Sequence, residues 1–285
     1  HNMSGVLNVE TQHFASLLHA AAGGNLIKKK IGVIAGGGEL PVRAIEEILA
    51  GGHDPVVIGV VENPCLPEGT IRIGLGDISR LIDELHQQQV KEIIFIGKVD
   101  KKLLLGLNLD ERARQMLAGL SAMDDASLML AITQELEREG ITAVKQTDYL
   151  ALLVPSQGVL SQKKPNNEQQ EDIDYGFSLA KRVADLGIGQ TIVVKNKMVM
   201  AVEAIEGTNE SILRGGRLAS GGAVVIKVSS TNHDLRFDVP TVGKETVSSM
   251  IRSEVAVLAV EAGRTFLLNG LIEEADMNGL VVVAV

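Results

Sequence analysis

The chain has 285 residues, 45% of them hydrophobic, which is enough for two domains of ordinary size with separate cores. Aromatic residues make up 2% and tryptophan is absent, so the core must consist of aliphatic side chains and Met, as is typical of a parallel sheet covered by helices. The formal charge of −9 argues against non-specific nucleic-acid binding, which needs a basic surface. The single cysteine, Cys65, excludes an internal disulfide, and no apolar run is long enough to span a bilayer.

Residues 1–29 are interpreted as an appendage or an added extension, with a short helix over residues 11–22. The positive charges of residues 28–30 follow the apolar residues instead of preceding them, which argues against a signal peptide. The fold is therefore expected to begin at residue 30.

Residues 30–155 alternate short apolar runs with amphipathic segments. This alternation predicts a doubly wound, Rossmann-like parallel sheet. The predicted strands are 31–35, 55–60, 92–96 and 142–144, and the predicted helices are 39–49, 78–89 and 126–139.

Residues 155–167 are polar and contain two prolines, which indicates a domain boundary. The following residues, 160–285, predict a second α/β domain, with a hairpin whose strands are 191–194 and 198–201. We expect the substrate to lie in the cleft between the two domains. The other predicted elements are helices 173–186, 212–218, 244–253 and 271–277 and strands 223–228, 255–260, 265–268 and 281–285.

The first candidate binding segment is Gly36-Gly37-Gly38, between a predicted strand and a predicted helix. Its backbone amides and the helix N-terminus favour a phosphate or sugar contact, whereas a tight turn is the structural alternative. The spacing matches neither a dinucleotide fingerprint nor a Walker A loop. Gly97-Lys98 also borders a strand end, where Lys98 is either a phosphate contact or a solvated lysine.

Acidic residues form two further candidate groups. Asp124-Asp125 precedes a helix and is interpreted as a cap or as a cation ligand. Glu203 and Glu206 lie three residues apart before a Gly-Thr turn, and such carboxylates suit Mg²⁺, Mn²⁺ or sugar hydroxyls. Thr208 of this turn is a further candidate contact, and a turn with solvated acids is the alternative.

The most informative segment is residues 234–243. Alternation in an extended chain would place Asp234, Arg236 and Asp238 on one face, where they can bind a metal, position a water and bind a phosphate, or form a structural ion pair. His233 is the only histidine beside this group, and we interpret it as an ordinary surface residue.

Three strings carry a resemblance to a known family: residues 31–41 (IGVIAGGGELP), 203–208 (EAIEGT) and 236–243 (RFDVPTVG). They resemble the UDP-2,3-diacylglucosamine diphosphatase family of the two-domain, non-calcineurin type, over about residues 30–285. The resemblance implies cleavage of the pyrophosphate of UDP-2,3-diacylglucosamine to UMP and 2,3-diacylglucosamine 1-phosphate, with Mg²⁺, in lipid A synthesis. It also implies that Asp238 is the essential aspartate.

The hypothesis from the sequence is metal-assisted attack of water on the α-phosphorus. Asp238 and Arg236 are the predicted catalytic residues, and the predicted metal ligands are Asp238, Glu203, Glu206 and Asp124. Two alternatives stay open: a phosphohydrolase of a non-acylated nucleotide sugar, and a non-catalytic nucleotide-sugar sensor. We expect a cytoplasmic protein, with peripheral contact to the inner membrane and homo-oligomerisation as further expectations and no nucleic-acid partner.

Overall fold

The structure, a computed structural model, describes residues 28–99, 107–120 and 125–285. The chain divides between Leu150 and Ala151 into two units, each with its own sheet. The helix predicted over residues 11–22 and the candidate ligand Asp124 lie outside the described residues. Within the described ranges, no helix is both long and apolar enough to cross a membrane.

The sheet of the first unit is entirely parallel. Its strands run in the order β3-β2-β1-β4-β5, so the first strand is central, as in a Rossmann-like fold. This order confirms the fold predicted for the N-terminal domain. The strands are β1 (Lys30–Ala35), β2 (Asp54–Gly59), β3 (Ile71–Arg72), β4 (Glu92–Ile96) and β5 (Thr142–Ala143).

Helices of the first unit bury apolar residues at helical spacing. The second of them buries Ile78, Leu81, Ile82 and Leu85, which share one face. The third, Glu111–Ala118, was not predicted, because only one of its eight residues is buried and its sequence shows no apolar stripe. The helices are α1 (Leu40–Ala50), α2 (Ile78–Gln87), α3 (Glu111–Ala118), α4 (Asp125–Arg138) and α5 (Gln146–Tyr149).

The second unit has a mixed six-stranded sheet, which confirms a second α/β domain. The strands are β6 (Gly158–Val159), β7 (Thr191–Lys195), β8 (Met198–Val202), β9 (Val224–Lys227), β10 (Thr241–Val242), β11 (Val257–Val260), β12 (Phe266–Leu267) and β13 (Val281–Ala284). Their order is β6-β13-β11-β9-β7-β8, with β9, β11 and β13 parallel and β10 and β12 forming a separate pair. β7 runs antiparallel to both of its neighbours, as β6 does to β13.

Helices cover both faces of this sheet, so the core has two layers. Ile173 and Ala180 of one helix pack on one face. Ile212, Val247 and Leu271, from three other helices, pack on the opposite face. The helices are α6 (Asn167–Asp185), α7 (Thr208–Ala219), α8 (Lys244–Arg252) and α9 (Leu271–Met277).

The β7–β8 hairpin was predicted correctly, and a buried carboxylate stabilises its turn. Asn196 and Lys197 adopt positive φ angles of 52° and 57°. Their amides donate to the two oxygens of Asp172 on α6, at 2.9 and 2.6 Å. The position of Asp172 is thus explained by the hairpin it supports.

The polar segment 155–167 differs from a free linker. It contains β6, which pairs with β13, and the Ser161 hydroxyl is buried against the Val282 backbone. Asn166 then begins α6 with a capping box, in which Asn166 and Gln169 bond reciprocally. The whole segment therefore belongs to the second unit.

Candidate active site

Polar residues from four strands lie at one edge of the second sheet, by which we mean the side at which β8, β9 and β11 end. Thr191 pairs with Lys227, and Val260 pairs with the same lysine from the other side. The start of β7 and the carboxyl ends of β8, β9 and β11 therefore lie at one edge. In open α/β sheets this is the edge at which ligands bind.

Glu203, Thr208 and Lys227 form a hydrogen-bonded chain at this edge. Lys227 Nζ donates to Thr208 Oγ1 at 2.7 Å, and Thr208 Oγ1 donates to Glu203 Oε1 at 2.9 Å. The backbone amide of Gln190 donates to Glu203 Oε2 at 3.3 Å. The two predicted residues thus lie together, joined by a lysine and a glutamine that sequence reasoning missed.

The loop after β9, residues 229–240, carries Asp238, and we call it the motif loop. The side chain of Asp238 is 63% exposed, and its Oδ2 lies 3.4 Å from Nε2 of His233, whose side chain is 17% exposed. The interpretation of His233 as an ordinary surface residue is therefore wrong. The loop turns back and packs the imidazole beside the carboxylate.

Asp238 is held in its ionised form. Desolvation by surrounding groups raises the pKa of this carboxyl, but His233, a hydrogen bond from the Gln190 side chain and the charge of Lys227 together outweigh it. The net pKa lies below the ordinary value. The carboxylate therefore stays charged at neutral pH, and its side chain is exposed.

The predicted extended face of Asp234, Arg236 and Asp238 is wrong. Phe237 N donates to Asp234 O at 3.1 Å, which closes a turn, and Asp234 Oδ1 accepts the Arg236 amide at 3.0 Å. The Arg236 guanidinium folds onto Asp234, with Nη2–Oδ2 at 2.8 Å, and lies over the Phe237 ring. Local side-chain bonds of Asp outcompete the extended conformation here.

Glu261, at the end of β11, anchors the start of the motif loop. Its Oε2 accepts from both the amide and the hydroxyl of Ser229, each at 2.9 Å. Lys181 of α6 bridges Glu261 and the Ser229 carbonyl. Arg264 donates to the Ser229 hydroxyl at 2.8 Å.

A second anchor holds the next residues of the loop. Asp185, the last residue of α6, accepts from the Thr231 amide at 2.6 Å and from its hydroxyl at 2.9 Å. Arg264 also donates to the carbonyls of Ser230 and His233. The segment that presents Asp238 is thus fixed at several points.

Of the predicted metal ligands, the three within the described residues, Asp238, Glu203 and Glu206, do not form one cluster. Glu206 is exposed and pairs with Arg214, which lowers the pKa of that carboxyl. Within residues 28–99, 107–120 and 125–285, no three acidic, His or Cys groups are placed to share a metal ion. Asp238 and Glu203 lie at the same edge, where Gln190 donates to Glu203 from its backbone amide and to Asp238 from its side chain.

In the first unit, the glycine segment makes backbone bonds of its own. The amide of Gly36 donates to Ile96 O and that of Gly37 to Lys98 O, both at 2.8 Å. A Cβ at Gly36 would meet Lys98 O at 2.6 Å, and one at Gly97 would meet Gly37 O at 2.8 Å. Close backbone approach therefore explains Gly36 and Gly97, and these two amides are already engaged.

Asn63 supports the same segment and was not singled out in the sequence. This buried side chain donates from Nδ2 to the carbonyls of Gly36 and Gly38, at 2.9 and 3.0 Å. Gly38 has a φ of 91°, and Lys98 is exposed. A ligand contact at Gly36–Gly38, Gly97 and Lys98 stays a prediction.

Comparison with known proteins identifies the family. The LpxI N-terminal domain model matches residues 30–153, and the LpxI C-terminal domain model matches residues 156–283. The UDP-2,3-diacylglucosamine pyrophosphatase LpxI of Caulobacter vibrioides is 29% identical over 273 residues, covering 90% of this chain and 98% of that relative. These matches confirm the resemblance seen in the sequence motifs, and the chain belongs to the LpxI family.

Proposed function

We propose that this protein hydrolyses the pyrophosphate bond of UDP-2,3-diacylglucosamine, releasing UMP and 2,3-diacylglucosamine 1-phosphate for lipid A synthesis. The observation that carries the proposal is an exposed carboxylate, Asp238, which lies beside His233 on the loop that follows Lys227 at the carboxyl edge of the second sheet and whose pKa is lowered. The name of the Caulobacter relative supports this substrate.

Asp238 orients the attacking water in this mechanism. A carboxylate whose pKa is lowered stays an acceptor at neutral pH and can direct a water proton away from the reacting phosphorus. Arg236 stabilises charge on the phosphoryl oxygens. Because its guanidinium is held by Asp234, the substrate must share or displace that ion pair.

Mg²⁺ is the proposed cofactor. Mg²⁺ in such sites is commonly bound by one or two carboxylates together with substrate phosphates, which fits an exposed Asp238 around which the described residues form no three-ligand cluster. Asp238 would hold the ion, and Glu203, which lies at the same edge, is a second candidate ligand. When bound, the ion would neutralise charge on the pyrophosphate.

Hydrolysis in isotopically labelled water identifies which phosphorus is attacked. Hydrolysis in water enriched in heavy oxygen places the label in UMP if the α-phosphorus is attacked, as proposed. Label in the sugar 1-phosphate would assign the attack to the β-phosphorus instead. Either outcome keeps the same pair of products.

The function is tested by product analysis of the purified protein with UDP-2,3-diacylglucosamine and Mg²⁺. We expect UMP and the diacyl sugar phosphate in equal amounts, and much slower UMP release from a UDP-sugar without acyl chains. Equal rates on both would indicate a general nucleotide-sugar phosphohydrolase. Binding without UMP release would indicate a sensor and overturn the proposal.

The substrate has consequences for the partners of the protein. Its acyl chains place it at a membrane surface, so we propose peripheral contact during turnover. Flotation with vesicles that contain the substrate tests this contact, and protein that stays at the bottom of the gradient contradicts it. Homo-oligomerisation stays a prediction.

A further inference from the structure

Lys227 is a buried lysine at the candidate site. It is the last residue of β9, a central strand of the second sheet, and the residue is only 6% exposed. Lysine is among the residue types least often buried, because an ammonium group loses much hydration in the interior. Its burial at the ligand-binding edge therefore calls for an explanation.

The ammonium group is positioned by a hydroxyl that is itself oriented. Thr208 Oγ1 accepts a hydrogen bond from Lys227 Nζ and donates one to Glu203 Oε1, so the hydroxyl acts as both acceptor and donor. Glu203 in turn accepts from the Gln190 amide, in the loop before β7. Residues from three elements thus fix where the charge of Lys227 lies.

Two other lysines of this unit have a structural role and can be compared with Lys227. Lys195, at the opposite edge of the sheet, donates to the carbonyls of Ala219 and Gly221 and so fixes the end of α7. Lys181 bridges Glu261 and the Ser229 carbonyl. Both cations donate to backbone carbonyls and so tie elements together, whereas Lys227 Nζ donates to a side-chain hydroxyl, that of Thr208, at the edge of the sheet from which the motif loop starts.

We propose that Lys227 binds a phosphoryl group of the substrate beside Asp238, and that Thr208 and Glu203 are positioning residues for its ammonium group. This inference rests on the proposed hydrolase function. An ammonium charge at a desolvated edge offsets phosphate charge more strongly than a surface lysine does. It also gives Glu203 a positioning role through Thr208 and Lys227.

The test compares Lys227→Met with Lys195→Met, since both remove one ammonium group from the same sheet. For Lys227→Met we expect kcat/KM to fall by about 10- to 100-fold, and the inhibition constant of inorganic pyrophosphate to rise by a similar factor. Lys195→Met should lower Tm and leave both constants near the wild-type values. Free Mg²⁺ is held constant throughout.

A purely structural Lys227 would give a lower Tm with an unchanged inhibition constant, and that result overturns the proposal. If Lys227→Met does not fold, Thr208→Val and Thr208→Ser replace it. Valine removes the hydroxyl at nearly constant shape, so pyrophosphate inhibition should weaken more than with serine, and equal inhibition contradicts the proposal. Wild-type protein that releases no UMP would instead contradict the function itself.

Discussion

At the scale of single residues, the site combines a carboxylate and an ammonium group with different environments. Asp238 is open to solvent, whereas Lys227 is buried; Lys227 ends β9, and Asp238 lies on the loop that follows this strand. The carboxylate is therefore free to meet water or a cation, while the lysine is held in one place. This division of roles is the basis of the residue-scale predictions.

The glycine segment offers a clean test of ligand contact. A Cβ at Gly37 meets only Lys98 O, at an ordinary 3.5 Å, whereas one at Gly36 is too close at 2.6 Å. We expect Gly37→Ala to keep the wild-type Tm and raise KM if the loop contacts substrate. Gly36→Ala should destabilise the fold by about 1–3 kcal/mol. An unchanged KM in Gly37→Ala would leave the segment a structural turn only.

Metal dependence follows from the same carboxylate. With Asp238 ionised and substrate phosphates as the remaining ligands, we expect EDTA to abolish UMP release and Mg²⁺ or Mn²⁺ to restore it. The measurement is initial rate against free metal concentration. Full activity in metal-free buffer would remove the metal from the mechanism.

At the scale of elements, one carboxylate caps two helices. Asp110 accepts from Ala113 N at 2.7 Å, in α3, and from Ser79 N at 2.6 Å, in α2. Desolvation raises the pKa of Asp110, but these hydrogen bonds outweigh it and the net pKa is lowered. We expect Asp110→Ala to destabilise the protein by about 1–2 kcal/mol at neutral pH.

The pH dependence of that loss has a definite sign. Because the folded-state pKa of Asp110 is below the ordinary value of about 3.9, its contribution is complete above that pH and is lost as pH falls through the folded pKa. Denaturant melts of wild type and Asp110→Ala should therefore converge below about pH 4. A difference that persists or grows in acid would contradict this assignment.

The sequence pattern predicted helices and strands correctly where neighbouring residues alone determine them. The strands β1, β4 and β11 follow from continuous apolar runs, and the helix over Leu271–Met277 follows from its local pattern. The sequence did not show the cap of α2, because it comes from Asp110, far along the chain, and not from Asp77 at its start. The alternation of side chains along the segment did not reveal the turn in the motif loop either, because that turn depends on hydrogen bonds made by Asp234.

At the scale of the whole molecule, each unit has its own sheet and core. The two apolar clusters of the second unit consist of its own residues. We therefore expect residues 151–285, expressed alone, to fold and melt cooperatively by circular dichroism. A fragment without a cooperative transition would show that this unit depends on the first. The predicted position of the substrate between the two domains stays a prediction.

The site could be predicted only in part, because some of its contacts join segments that are far apart in the sequence. Asp238, Glu203 and Thr208 lie in motifs that the sequence displays, and they were singled out from it. Lys227, Gln190 and His233 carry no motif, and they join the site only because strand register and loop folding bring distant segments together. Spacing along one segment cannot show contacts of that kind.

The most direct test of the central claim is UMP release from UDP-2,3-diacylglucosamine by Asp238→Asn, beside its Tm. Asparagine keeps the volume of the side chain but loses the charge, and the exposed position should leave the fold intact. We predict a wild-type Tm with turnover lower by at least about 100-fold. The matched control, Asp174→Asn on the exposed face of α6, should keep wild-type turnover. A folded Asp238→Asn that releases UMP at the wild-type rate would contradict the account.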